Sequence, residues 1–164
     1  VCSILDSVYG GGFRNILLFN SHGGTQGIGQ VILEDFGATH PNCRIAMVTW
    51  WTLAQDALIT ISKSGRFGTG HACEFETSLM MAAGAIPANI NLPTGEFFVP
   101  SHSWADSSML HKSVGTLYRS IKQISGGSGV VGQPDAATAE QGHKITTAVV
   151  RHLETVVTDL RRIG

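Results

Sequence analysis

Two short apolar runs constrain this chain more than anything else in it. Ile16–Phe19 lies within "NILLFNSHGG", "CRIAMVTW" covers Cys43–Trp50, and between them Ile28, Val31, Ile32 and Phe36 recur at helical spacing. A strand, a helix over Thr25–Phe36 and a second strand have one ordinary solution: parallel neighbours joined by a right-handed crossover. Open α/β sheets collect ligands at the carboxyl ends of their strands. The residues at that place are His22, Gly23 and Gly24.

The rest of the chain reads in the same terms. Ile4, Leu5 and Val8 predict an opening helix stopped by Gly10 to Gly12. Leu53, Ala57, Leu58 and Ile61 predict a helix over Thr52–Ser62, and "KSGRFGTGH" reads as a loop delivering His71. Cys73–Ala83 returns to helix. Pro93, Gly95 and Pro100 mark irregular chain over Asn89–His111, with a short strand at Phe97–Val99. "SGGSGVVGQP" reads as a turn-rich connector. From Asp135 or Thr138 a long helix carries Ile145, Val149, Leu153, Val156 and Leu160 on one stripe, with Thr138 and Gln141 spaced as a capping box. These elements belong to the α/β class. The 164 residues suffice for a core, and no linker or repeat divides them.

Composition narrows the partners. Eleven basic and twelve acidic residues, with no block of either sign, recommend a small-molecule substrate and neither nucleic acid nor an anionic membrane. No apolar run approaches the length of a membrane helix. Cys2, Cys43 and Cys73 are too few and too scattered for a disulfide framework, which places the chain in a reducing, cytoplasmic setting. It opens at Val1, inside a helix, so a preceding segment is expected.

Three places carry candidate chemistry. The glycines after His22 let a ligand or backbone approach and leave the imidazole open. In "GHACEFETSLMMAA", His71 precedes a helix bearing Glu74 and Glu76, which point about 200° apart. The apolar residues Phe75, Leu79, Met80, Ala82 and Ala83 centre near Glu76, whereas Glu74 falls with Thr77, Ser78 and Met81. Glu76 is thus the expected buried carboxylate, to be matched either by a metal or by an arginine such as Arg14 or Arg44. Glu74 reads as a first-turn residue favoured by the helix dipole. His22 and Glu76 offer one nitrogen and one oxygen, a mixture suited to Zn²⁺ or Mn²⁺ but short of a complete site. His102, Asp106 and His111 are further candidates, read as surface or lid residues.

At these residues the chain resembles the creatininase (creatinine amidohydrolase) family. "GFRNILLFNSHGGTQ", "GHACEFETSLMMA" and "SGVVGQPDAATAEQG" are similar to three of its motif segments, in the family's order. The resemblance implies a three-layer α/β/α fold with a mainly parallel sheet, commonly assembled as a homohexamer. It also implies a hydrolase that opens amide-type C–N bonds by attack of metal-bound water, with Zn²⁺ or Mn²⁺, one or two ions, or Fe²⁺. By motif, His22 corresponds to a metal-binding histidine, His71 to an active-site histidine that handles protons or polarises substrate, and Glu76 to the acid of the "ETS" motif. Glu74 corresponds to a second acidic position shared by many members. Phe67 stands where creatininase has the tryptophan that covers its substrate.

The departures carry as much as the matches. Gly24 occupies the position of a metal-binding glutamate and Gly68 that of an acid, so creatinine itself is not the expected substrate. The family's N-terminal motif, which supplies a glutamate, a histidine and a bridging aspartate, has no counterpart in these residues. The chain therefore reads as the C-terminal part of one creatininase-like domain, residues 1–164, completed by a preceding segment or a second chain. Two other readings stand beside it: a nucleotide-binding module using the Gly23–Gly29 loop, though the spacing is neither GxGxxG nor a P-loop, and an inactive assembly subunit.

Overall fold

Parallel pairing is what the two apolar runs adopt. The computed structural model describes residues 1–87, 89–93 and 102–163, so the strand expected at Phe97–Val99 lies outside it. Helix α1 (Cys2–Gly10) ends where Gly11 donates to the Ser7 carbonyl and Gly12 takes a positive φ of 95°. Strand β1 (Asn15–Asn20) then pairs in parallel with β2 (Arg44–Thr49), from Asn15 opposite Arg44 to Asn20 opposite Thr49, and α2 (Gln26–Thr39) makes the crossover. Leu5, Ile16, Phe36 and Cys43 form the core here, with Tyr9, Leu18 and Ile45 packed against it. Ile16 and Leu18 share a face by the strand's two-residue period; Phe19, on the other face, is 46% exposed. Gly29 is buried inside α2, where a Cβ would collide with the thioether of Met47. Helix-to-sheet packing, rather than a phosphate, accounts for that glycine.

After β2 the structure departs from the expected single helix over Thr52–Ser62. Trp50 is already helical, and α3 (Trp50–Leu53) is separated from α4 (Gln55–Ile61) at Ala54. There the backbone leaves the helical region (φ −109°, ψ 21°) and the methyl group is buried, a break that a wheel of apolar spacings does not register. The chain also divides at this point into two compact units, residues 1–53 with 151–164, and residues 54–150.

In the second unit, the segment read as a loop before His71 is a 3₁₀ turn (Arg66–Gly68) followed by strand β3 (Thr69–His71). Helix α5 (Glu74–Ala82) follows, then the short α6 (Ile121–Ile124), strand β4 (Val131–Gly132) and a 3₁₀ turn at Pro134–Ala136. Strand β4 lies inside the supposed turn-rich connector and pairs antiparallel with β3, His71 opposite Val131. The glycines that suggested loops are there for close approach. A Cβ on Gly70 would sit 2.6 Å from the Val131 carbonyl oxygen, and one on Gly132 (φ 133°) 2.5 Å from that of Gly68. Leu58, Phe75 and Ile145 are fully buried, each contributing about 1.5–3 kcal/mol of transfer free energy.

Helix α7 (Ala139–Arg162) begins after both proposed starts, and only half of the expected capping box forms. Thr138 Oγ1 accepts from the Gln141 N–H at 3.2 Å, but the Gln141 side chain turns to the Ile61 carbonyl and to Glu74. The Thr138 N–H goes to Ser78 Oγ at 3.1 Å, and Ser78 Oγ donates to Gln141 Oε1 at 2.8 Å. Gly142 lies against the backbone of α5, where a Cβ would overlap the Ser78 carbonyl. Of the apolar stripe, Ile145 and Val149 are buried and Leu153, Val156 and Leu160 half-buried. No described helix is long and apolar enough to cross a membrane. All three cysteines are unpaired.

Candidate functional site

The "SHGG" turn stands at the carboxyl ends of β1 and β2, where the βαβ pattern puts ligands. A small polar network built on those ends holds it. Asn20 Nδ2 donates to the His22 carbonyl at 3.0 Å and to Thr49 Oγ1 at 3.1 Å, while the Thr25 hydroxyl is shared between Asn20 Oδ1 and the His22 carbonyl. Gln26 Nε2 reaches Thr49 Oγ1 at 3.3 Å. His22 caps the 3₁₀ turn Gly23–Thr25, its Nδ1 accepting from the Gly24 N–H at 3.2 Å. An accepting Nδ1 carries no proton, so the neutral ring bears its hydrogen on Nε2. The lone pair available to a metal is the one now spent on the cap. A Cβ on Gly24 would stand 3.1 Å from the imidazole, so a side chain there would push the ring by a few tenths of an ångström, and Gly23 faces the Trp51 ring with room to spare.

The second cluster is the β3–α5 junction. His71 ends β3, half-buried, and the next residue, Ala72, has φ 49°, the left-handed region that costs a non-glycine residue about 1–2 kcal/mol. Glu76 holds that turn: its Oε2 accepts from the Ala72 N–H, and its Oε1 makes no hydrogen bond among the described residues. Metal-ligating carboxylates are commonly oriented in this way by a donor behind them. Ala72→Gly, which adopts the same φ without strain, should leave stability within about 1 kcal/mol of the parent. Ala72→Pro, which has no N–H and a φ near −65°, should cost about 3 kcal/mol in urea denaturation. Equal effects would mean that the turn is not what the sequence maintains here.

Burial along α5 is the reverse of the wheel expectation. Glu74 has no exposed surface, with Phe75, Thr77, Ser78 and Met81 also buried, whereas Glu76 is half-buried and Met80 is 48% exposed. Counting apolar residues failed because this face is packed with satisfied polar groups. The Glu74 carboxylate accepts from Ser62 Oγ (3.1 Å), the N–H groups of Lys63 (2.7 Å) and Ser64 (2.9 Å), Ser64 Oγ and Gln141 Nε2. Burial alone would raise its pKa; the donors from Ser64, Gln141 and Lys63 outweigh that and hold it below the usual carboxylate range. With five donors, Glu74 is a structural anchor. Of the two arginines proposed as partners, Arg14 lies 4.0 Å over the Tyr9 ring and donates to the Tyr9 and Phe13 carbonyls, and Arg44 reaches Asn15. Cys73 is buried, and burial pushes its thiol up to about 11, which leaves it protonated and inert.

Asp106 is no surface residue either. Its side chain is 2% exposed; Arg66 Nε donates to Oδ2 at 3.1 Å, Arg66 Nη2 joins it, and the Ser108 N–H donates to Oδ1 at 3.0 Å. His111 Nδ1 lies 3.2 Å from Oδ2, close enough for an ion pair but without hydrogen-bond alignment. Burial raises the Asp106 pKa, and Arg66, Ser108 and the nearby His111 lower it further than that. His102 is exposed and stacks on Trp104 at 5.1 Å.

His71, Ala72 and Glu76 thus share one junction, with Phe67 on the 3₁₀ turn leading into β3 and 43% exposed. His22, Gly23 and Gly24 share the turn at the parallel strand ends. Among the described residues no three His, Cys, Asp or Glu side chains gather tightly enough to hold a metal ion. A family model described as creatinine amidohydrolase matches residues 1–157, from the opening helix to the last turns of α7. The chain belongs to the creatininase family. That family is one of hydrolases, of the metal-dependent amidohydrolase type. No curated protein matches it as a relative.

Sequence reasoning missed Asn20, Thr49, Trp51 and Ala72. Only Asn20 left a signal, as a polar residue closing an apolar strand directly before "SHGG". A left-handed alanine leaves none.

Proposed function

We propose that this chain supplies part of the active site of a metal-dependent amidohydrolase acting on an amide-type C–N bond of a small, cyclic or linear substrate. The observation that carries the reading is the β3–α5 junction, where Glu76 keeps one carboxylate oxygen uncommitted among the described residues while the other holds the turn that sets His71. His22 and Glu76 would hold Zn²⁺ or Mn²⁺, with Fe²⁺ an alternative; this donor pair suits such ions and falls one short of the three protein ligands usual at a catalytic zinc. A bound ion of this kind supplies Lewis-acid activation of water and of the scissile carbonyl. His71 delivers a proton to the departing nitrogen. Phe67 flanks the substrate, and Gly23 and Gly24 leave it room. The remaining ligands, a bridging carboxylate among them, come from the segment that the family places before this one or from a second chain, within a homohexamer. A reducing cytoplasm suits the three unpaired cysteines.

The test is metal content in the complete gene product. His22→Ala and Glu76→Gln should each weaken Zn²⁺ or Mn²⁺ binding by at least about tenfold, on the scale known for disturbed metal shells, with the circular dichroism spectrum retained. Because Nδ1 of His22 caps the Gly23–Thr25 turn, metal binding should also shift the Gly24 amide resonance. Unchanged metal content in both variants sinks the assignment.

A further inference from the structure

We infer that the substrate carries a carboxylate and that Arg66 reads it. Arg66 opens the 3₁₀ turn that presents Phe67, five residues before His71. Its guanidinium is fixed by Asp106, whose side chain is 2% exposed and whose second oxygen is occupied by the Ser108 N–H. Two of the five N–H donors of a guanidinium are spent in this way. The remainder make no hydrogen bond among the described residues, and the side chain is 38% exposed, so they open towards solvent. The guanidinium carbon lies 5.3 Å from the centre of the Phe67 ring.

Each part suits carboxylate recognition. Arginine's planar fork matches a carboxylate in two parallel hydrogen bonds, which an ammonium cannot do. A fork pinned by a buried anchor has already lost its rotational freedom, so binding need not order it. Burying Asp106 is costly, and an ion pair kept for stability alone gains little over an apolar contact. An arginine held ready beside an aromatic wall gives that cost a use. Phe67 then covers the body of the substrate while Arg66 takes the charged end. The inference rests on the amidohydrolase reading for the amide at the other end of the substrate, though not for the carboxylate.

The measurement is calorimetric titration of the complete gene product with succinamate, which has an amide and a carboxylate, and with butyramide, a neutral amide of similar length. Succinamate should bind about tenfold or more tightly than butyramide. That preference should fall below about twofold in Arg66→Gln and drop several-fold in Arg66→Lys, which keeps the charge and loses the fork. Because Arg66→Gln leaves Asp106 buried without its partner, the titration is repeated on the Arg66→Gln, Asp106→Asn double variant, where neither charge remains. Absent or equal binding of the two amides by the parent, or a preference that survives in these variants, overturns the inference. Carboxylate-dependent binding without turnover of any amide overturns the hydrolase reading instead. Turnover of amides with no carboxylate preference does the opposite.

Discussion

Glu74→Ala should lower the unfolding free energy of this chain by about 3–5 kcal/mol, the scale for stripping one side from a buried charged network. Five donors converge on that carboxylate, two from backbone and three from the side chains of Ser62, Ser64 and Gln141, and alanine removes the acceptor they share. Against a typical total of about 5–15 kcal/mol, the loss brings the chain near its folding limit. Glu74→Gln keeps the volume but sets an NH₂ group against a shell of donors, and should lose somewhat less. Urea denaturation of parent and variants reads this directly. The pH dependence follows from the same geometry. A carboxyl whose folded pKa lies below its unfolded one contributes its full stability above the unfolded value and loses it as pH falls through the folded value. The parent should therefore lose stability across the acid range below the ordinary glutamate pKa, and Glu74→Gln should flatten that limb. If Glu74 were instead a metal ligand, its replacement would empty the site with little cost to the apoprotein's stability.

His71→Ala should lower kcat by about 10²–10⁴-fold while bound metal stays at the parental level. The range is that of general acid–base catalysis, and retained metal separates a proton-handling group from a ligand. The position supports the distinction: His71 closes β3 opposite Val131, and the left-handed Ala72 turns the chain before Glu76 comes within reach. Steady-state hydrolysis of a small amide, with metal analysis on the same samples, decides it. Full activity, or loss of metal along with activity, would show that the role is misassigned.

The sequence carried the parallel βαβ unit to within three residues at every boundary, because its signal is local: apolar runs of strand length around a helical period. It carried the "SHGG" turn for the same reason. The small β3–β4 pair escaped notice because its strands are three and two residues long and rich in glycine, a composition that ordinarily means loop. What made those glycines necessary was the backbone of a partner about sixty residues away, which no local window contains. The exchange of roles between Glu74 and Glu76 had the same source. A helical wheel weighs hydrophobicity, whereas Glu74 is buried by donors contributed from Ser62–Ser64 and from Gln141. Asp106 was hidden likewise, its partner Arg66 lying forty residues earlier.

The contact of Gly142 with the Ser78 carbonyl has a bearing on how such chains are recognised. The segment "SGVVGQPDAATAEQG" helps to mark the family, yet it ends in a residue with no side chain and none of its members enters the proposed chemistry. Gly142 works as a spacer of zero thickness: a single hydrogen sets the clearance between the helix that bears Glu74 and Glu76 and the helix behind it. Any larger residue would act as a shim, tilting α5 and carrying its carboxylates out of alignment without touching them. A fingerprint can thus be diagnostic of an enzyme family by recording mechanical tolerance, and a variant at position 142 would lose function with every residue proposed to react unchanged in identity.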